Sequence, residues 1–109
     1  MLRIDAAEFG ASRTAVLDAL TAEGVPCSAG YGYSLPDQPL FRNKAFGPYL
    51  PGVSASLDYS RSSCPNSDAI CREQGLWLGQ NLLLGPDEDV DDIARAFEKV
   101  YEYRDELSA

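Results

Sequence analysis

Histidine is missing from this sequence of 109 residues. Its absence removes the commonest general base, the usual partner of a nucleophilic serine or cysteine, and a frequent metal ligand. Lysine is nearly missing as well: Lys44 stands beside a proline-rich stretch and Lys99 on the polar side of a C-terminal helical pattern. Neither context desolvates an amine enough to make it a nucleophile at neutral pH. No GxGxxG or GxxxxGK[ST] phosphate loop occurs. Cys27, Cys64 and Cys71 are odd in number and too sparse for a disulfide framework. The spacing of Cys64 and Cys71 is not C-x-x-C, so no zinc motif arises. The three read as reduced thiols packed as small apolar groups, and a redox pair at Cys64 and Cys71 would require exposed, low-pKa thiols. No stretch approaches the ~20 apolar residues of a membrane helix. The opening Met1–Asp5 carries no apolar run of signal-peptide length. A cytoplasmic protein without membrane or metal chemistry is the expectation.

What is present is an ordinary globular composition, 45% hydrophobic and 24% charged, at the length of one domain or part of one. The net charge of −8 argues against nucleic acid as a partner, because phosphates demand a basic surface. The acidity is concentrated: residues 87–109 hold nine acids against three bases, and everything before them eight against six. That pattern fits the solvated face of a terminal helix.

Leu2-Arg3-Ile4-Asp5 alternates as a short half-buried strand does. Ser12 then suits a helix N-cap, Val16, Leu17 and Leu20 form one apolar stripe, and Gly24 stands where a glycine ends a helix. Val25–Ala29 predicts a second strand, with Pro26 at an edge or at the strand's start. Pro65 opens a helix through Ala69 and Ile70 that stops at Gly75. Leu76–Leu84 predicts the longest strand. Gly85-Pro86-Asp87 opens the last helix, whose early acids suit the helix dipole and whose Val90, Ile93, Ala94, Phe97, Val100 and Tyr101 recur at helical spacing to about Leu107. Asp91 and Arg95 are placed for an i,i+4 pair. Together these predict an α+β fold: a small, mostly antiparallel three-stranded sheet covered by helices, with one long Pro/Gly/aromatic loop.

That loop, Gly30 to Pro51, holds Tyr31, Tyr33, Phe41, Phe46 and Tyr49 among its glycines and prolines. Irregular segments longer than ~12–15 residues are usually functional or disordered, and five aromatics argue against disorder. It either touches a ligand or another chain, or simply covers the core. Gln80 and Asn81 are polar within an apolar strand pattern, so they bond inside the fold or face a ligand pocket. Arg42 and Arg61 flank the irregular region, and each can bind a carboxylate or phosphate or stand as a plain surface charge.

Several segments together resemble the small domain of DegT/StrS-type aminotransferases, enzymes of fold type I that depend on pyridoxal phosphate (PLP). Leu2-Arg3-Ile4-Asp5 is followed by Leu20-Thr21-Ala22-Glu23-Gly24-Val25-Pro26, similar to that family's "L-x-x-E-G-I/V-P" turn. Gly30-Tyr31 and Gln38-Pro39-Leu40-Phe41 are similar to its "GY…PLY" loop, and Cys64-Pro65-Asn66-Ser67-Asp68 to a "P-x-A/S-E" helix start. Trp77-Leu78-Gly79-Gln80-Asn81-Leu82-Leu83-Leu84-Gly85, with Asp89 and Ile93 beyond, resembles the ending "WL-x-x-x-LLG…D-x-x-D-I". Ser34 stands where the family has proline, Pro36 where it has the aromatic of "PLY", Gly79 where proline is common, and Asp68 where it has glutamate.

The resemblance implies that residues 1–109 are one C-terminal domain. A large N-terminal domain of the same enzyme would carry the PLP lysine, and the parent would be a homodimer acting on a keto sugar or cyclitol. This chain would then bind no cofactor and carry no catalytic residue. Tyr31, Tyr33, Gln80 and Asn81 would form part of the substrate-binding wall, the tyrosines as flat faces for a sugar ring and the amides as partners for its hydroxyls. The alternative is a stand-alone binding or interaction module that reuses this fold.

Overall fold

A computed structural model describes residues 1–45, 47 and 51–108. Phe46 and Tyr49 of the aromatic loop lie outside the described residues. The chain divides into two compact bodies, residues 1–30 with 73–109, and residues 31–72.

The first body is the α+β unit. Strand β1 is Leu2–Arg3, and helix α1, Ala6–Phe9, follows it. Helix α2 is Arg13–Ala22, β2 is Cys27–Ser28, β3 is Gly75–Leu78, and α6 is Asp87–Glu102. The sheet order is β1-β3-β2, and both pairings are antiparallel. Leu2 lies opposite Leu76 and Arg3 opposite Gly75, while Cys27 faces Leu78 and Ser28 faces Trp77. The last strand in sequence therefore takes the centre.

Local chemistry explains the helix bounds. Asp5 Oδ1 accepts from the Ala7 and Glu8 amides at 3.0 and 3.3 Å and starts α1, an element the alternating pattern concealed. Ser12 Oγ accepts from the Ala15 amide at 3.2 Å and caps α2. At the other end Gly24 has φ +88°, its amide donates to Thr21 O, and the Val25 amide donates to Leu20 O. That pair of bonds is the Schellman arrangement, in which a left-handed residue closes the last turn. Helix α2 packs on β3 and α6. Val16, Leu20 and Leu76 are fully buried, and Ile4, Val25 and Val100 close the core around them.

Several expectations need correction, among them β2, which is Cys27–Ser28 rather than Val25–Ala29. Strand β3 ends at Leu78 rather than at Leu84, and Gln80–Leu83 forms a 3₁₀ turn closed by the Leu82 amide on Gly79 O at 3.1 Å. Each partner strand is two residues long, so nothing remains beyond Leu78 for a ladder to pair with. Helix α6 stops at Glu102, and a separate 3₁₀ segment, Arg104–Ser108, continues the chain. Arg95 bonds Asp92 at 2.6 Å instead of Asp91, an i,i+3 pair so exposed that it adds little stability.

The second body holds α3 (Pro39–Arg42), α4 (Pro51–Ser54) and α5 (Pro65–Ala69), with a 3₁₀ turn at Leu35–Asp37. The helix predicted from Pro65 thus ends at Ala69, and a π-helical turn, Ile70–Gln74, carries the chain into β3. Among the described residues of this body the buried side chain is polar, Ser34. Its hydroxyl donates to Asp68 Oδ1. Phe41 packs edge-on against Tyr59 at 5.8 Å between ring centroids.

Two glycines separate backbone strain from steric exclusion. At Gly24 a Cβ would meet nothing within 4 Å, whereas at Gly30, with φ +67°, it would fall on the Trp77 indole. Gly24→Ala is expected to cost about 1–2 kcal/mol from left-handed strain alone. Gly30→Ala should cost more, and chemical denaturation of the two variants measures the difference. In the core, Leu76→Ala is expected to lose about 2–5 kcal/mol in the same assay.

Candidate functional site

The predicted wall residues fall in both bodies. Tyr31 and Tyr33 belong to residues 31–72 and are 68% and 51% exposed. Gln80 and Asn81 belong to the sheet body, exposed on the 3₁₀ turn after β3 rather than on a strand face. Asn81 lines an open groove of about 330 Å³ whose floor includes Val25, Leu82 and Ile93. Three carboxylates rim that groove. Glu23 is paired with Lys99 at 2.7 Å and Asp92 with Arg95, and Asp89 is the third. The groove can hold a small polar molecule, with the Asn81 amide able to donate and accept.

A second groove, of about 420 Å³, lies between β1, α1 and α6. Phe9 and Tyr101 meet there edge to face at 5.2 Å, and the Arg104 guanidinium stacks 4.4 Å from the Tyr101 ring. Trp77 is 38% exposed on β3. In the other body Phe41 is partly covered by Tyr59.

Within residues 31–72, polar contacts fix the loop that carries Tyr33. Asp37 accepts from Arg72 Nη2 at 2.7 Å and also from Arg42 Nη2. The bond from Arg42, then that from Arg72, holds the Asp37 carboxyl below its ordinary value of 3.8. Gln38 Nε2 donates to Tyr33 O at 3.2 Å, and the Arg72 guanidinium lies 6.0 Å from the Tyr33 ring centre. Sequence reading had singled out Arg42 but not its partners, since only folding joins residues 37, 42 and 72. The bond between Ser34 and Asp68 is equally invisible in the sequence, and it joins two of the four positions that depart from the aminotransferase pattern.

The two lysines are each held by a partner. Lys99 is ion-paired to Glu23, chiefly through their hydrogen bond, which raises its pKa above 10.5 and keeps the amine protonated. Lys44 Nζ donates to Ser54 O at 2.8 Å. Among the described residues no group of three or more Cys, Asp or Glu is placed to hold a metal ion. The three cysteines are partly buried and form no disulfide. No described helix is long and apolar enough to cross a membrane. Comparison with protein-family models, with curated proteins and with solved structures found no match to this chain.

The Asp37 contacts give a pH dependence of definite sign. A carboxyl whose folded pKa is depressed contributes its full stabilisation above the unfolded value of 3.8 and loses it as pH falls through the folded value. The stability difference between the native protein and Asp37→Asn is therefore expected to be constant from neutral pH to about pH 5 and to shrink below 3.8. Urea unfolding at a series of pH values measures it.

Proposed function

We propose that this chain is the small domain of a PLP-dependent aminotransferase of the DegT/StrS type, acting on a keto sugar or cyclitol. The observation that carries this reading is the coincidence of the family-like segments with the elements that build the sheet body. Leu2-Arg3 is β1, the Leu20–Pro26 segment is the Schellman turn leading to β2, and Trp77-Leu78 ends the central strand. Gly85 and the acids after it lead into α6.

On this reading the chain closes a cleft and lends part of its wall, through Tyr31, Tyr33, Gln80 and Asn81. On the same reading the PLP lysine belongs to the large domain, and the contacts of Lys99 with Glu23 and of Lys44 with Ser54 O support it. The parent is a cytoplasmic homodimer.

Sequencing the genomic locus tests the reading. An open frame continuous with or adjacent to this one, encoding a lysine-bearing PLP domain, is the expected result, and its absence overturns the assignment. Adding PLP and then borohydride to the chain should leave Lys44 and Lys99 unlabelled by mass spectrometry, and a stoichiometric pyridoxyl adduct on either contradicts the reading. In the parent enzyme, truncating Tyr33 or Asn81 is expected to weaken transition-state binding by about 0.5–1.5 kcal/mol with folding unchanged, measured as kcat/KM.

A further inference from the structure

We propose that the open edge of β1 is a docking site for an extended segment of a partner protein, in which a basic and an acidic residue alternate with apolar ones. The inference does not rest on the aminotransferase reading. β1 stands at the rim of the sheet, whose order is β1-β3-β2. The Ile4 amide donates to Gln74 O at 2.8 Å, and Leu2 lies opposite Leu76. Backbone bonds alternate along an antiparallel pair, so Leu2 and Ile4 are turned to β3 and Arg3 is turned away. The amide and carbonyl of Arg3 face outward, with no strand beside them among the described residues.

A groove of about 420 Å³ follows this edge, and all four residues from Leu2 to Asp5 line it. Neighbouring side chains of a strand point to opposite faces, so the groove runs beside β1 and not over one face of it. Phe9, Phe97 and Tyr101 form its apolar side, and Leu2 and Tyr101 are 43% and 47% exposed. An added antiparallel strand exchanges two hydrogen bonds with Arg3 through a single residue. The residues on either side of that one fall opposite Leu2 and Ile4. They lie on the face where Ile4 is buried and Phe97 packs, so apolar side chains suit both positions.

Charge selects the other positions. Arg3 is exposed and forms no ion pair among the described residues, so the residue opposite it is acidic. Asp5 and Glu8 line the groove at its α1 end, and a basic residue two positions along the occupant meets them. A second copy of this chain matches the pattern less well. Pairing Arg3 with Asp5 of the copy puts Ile4 between them, and Ile4 is already buried in its own core. The occupant therefore brings apolar side chains of its own.

Titration of the full chain with acetyl-Lys-Ile-Glu-Val-Thr-amide, followed through the chain's backbone amide resonances, tests the proposal. Exchanging the lysine and glutamate gives a control of equal composition and net charge, on which the chain's charge of −8 acts alike. Saturable shifts centred on Arg3 and Asp5 are expected, with the control binding about fivefold more weakly. N-methylation of the peptide's glutamate removes the donor to Arg3 O and should abolish binding. Arg3→Glu should erase the preference between the two peptides. Absence of saturation overturns the site, as do equal binding of the two peptides to the native chain, tolerance of the N-methyl group, or a preference unchanged in Arg3→Glu. Shifts at Arg3 that grow with chain concentration alone overturn it in favour of a second copy.

Discussion

The burial of Leu76 in the middle of β3 is the contact on which the sheet body depends. β1 and β2 do not pair with each other; each pairs with β3 alone, through two residues apiece. Two-residue ladders have little stability of their own, so what holds them is apolar burial beneath the sheet. Val16 and Leu20 supply it from α2, which packs on both β3 and α6. The N-terminal strand thus waits for a strand from the far half of the chain, a non-local pairing that slows folding.

Residues 31–72 are stabilised by different means. Their described side chains contribute no buried apolar residue, and their fixed points are polar: Ser34 on Asp68, Asp37 on two arginines, Lys44 on the Ser54 carbonyl. Such contacts define geometry more than they add stability, because each exchanges a bond to water for a bond to protein. They are also sensitive to pH and salt in a way the Leu76 core is not. Pro36 and Pro39 open the 3₁₀ turn and α3, which carry Asp37 and Arg42.

The sequence by itself determined whatever depends on neighbours a few residues away. Ser12 and Gly24 bound α2, and the acids after Pro86 open α6. Of the apolar stripe expected on α6, Val100 is buried and Ile93 and Phe97 are partly buried, whereas Val90, Ala94 and Tyr101 are exposed and the buried Ala96 lay outside it. The α+β class with a small antiparallel sheet follows from the same local signals. Tertiary structure alone decided the rest. Where β3 stops depends on how much of β1 and β2 is there to pair with, which no property of Leu76–Leu84 encodes. Gln80 and Asn81 therefore sit exposed on a turn, although their own pattern reads as strand. The Asp37 cluster and the bond between Ser34 and Asp68 each join residues more than thirty positions apart, and their partners are chosen by the path of the chain. Helical periodicity and capping are written within one or two turns; strand pairing and charge clustering exist only once distant segments meet.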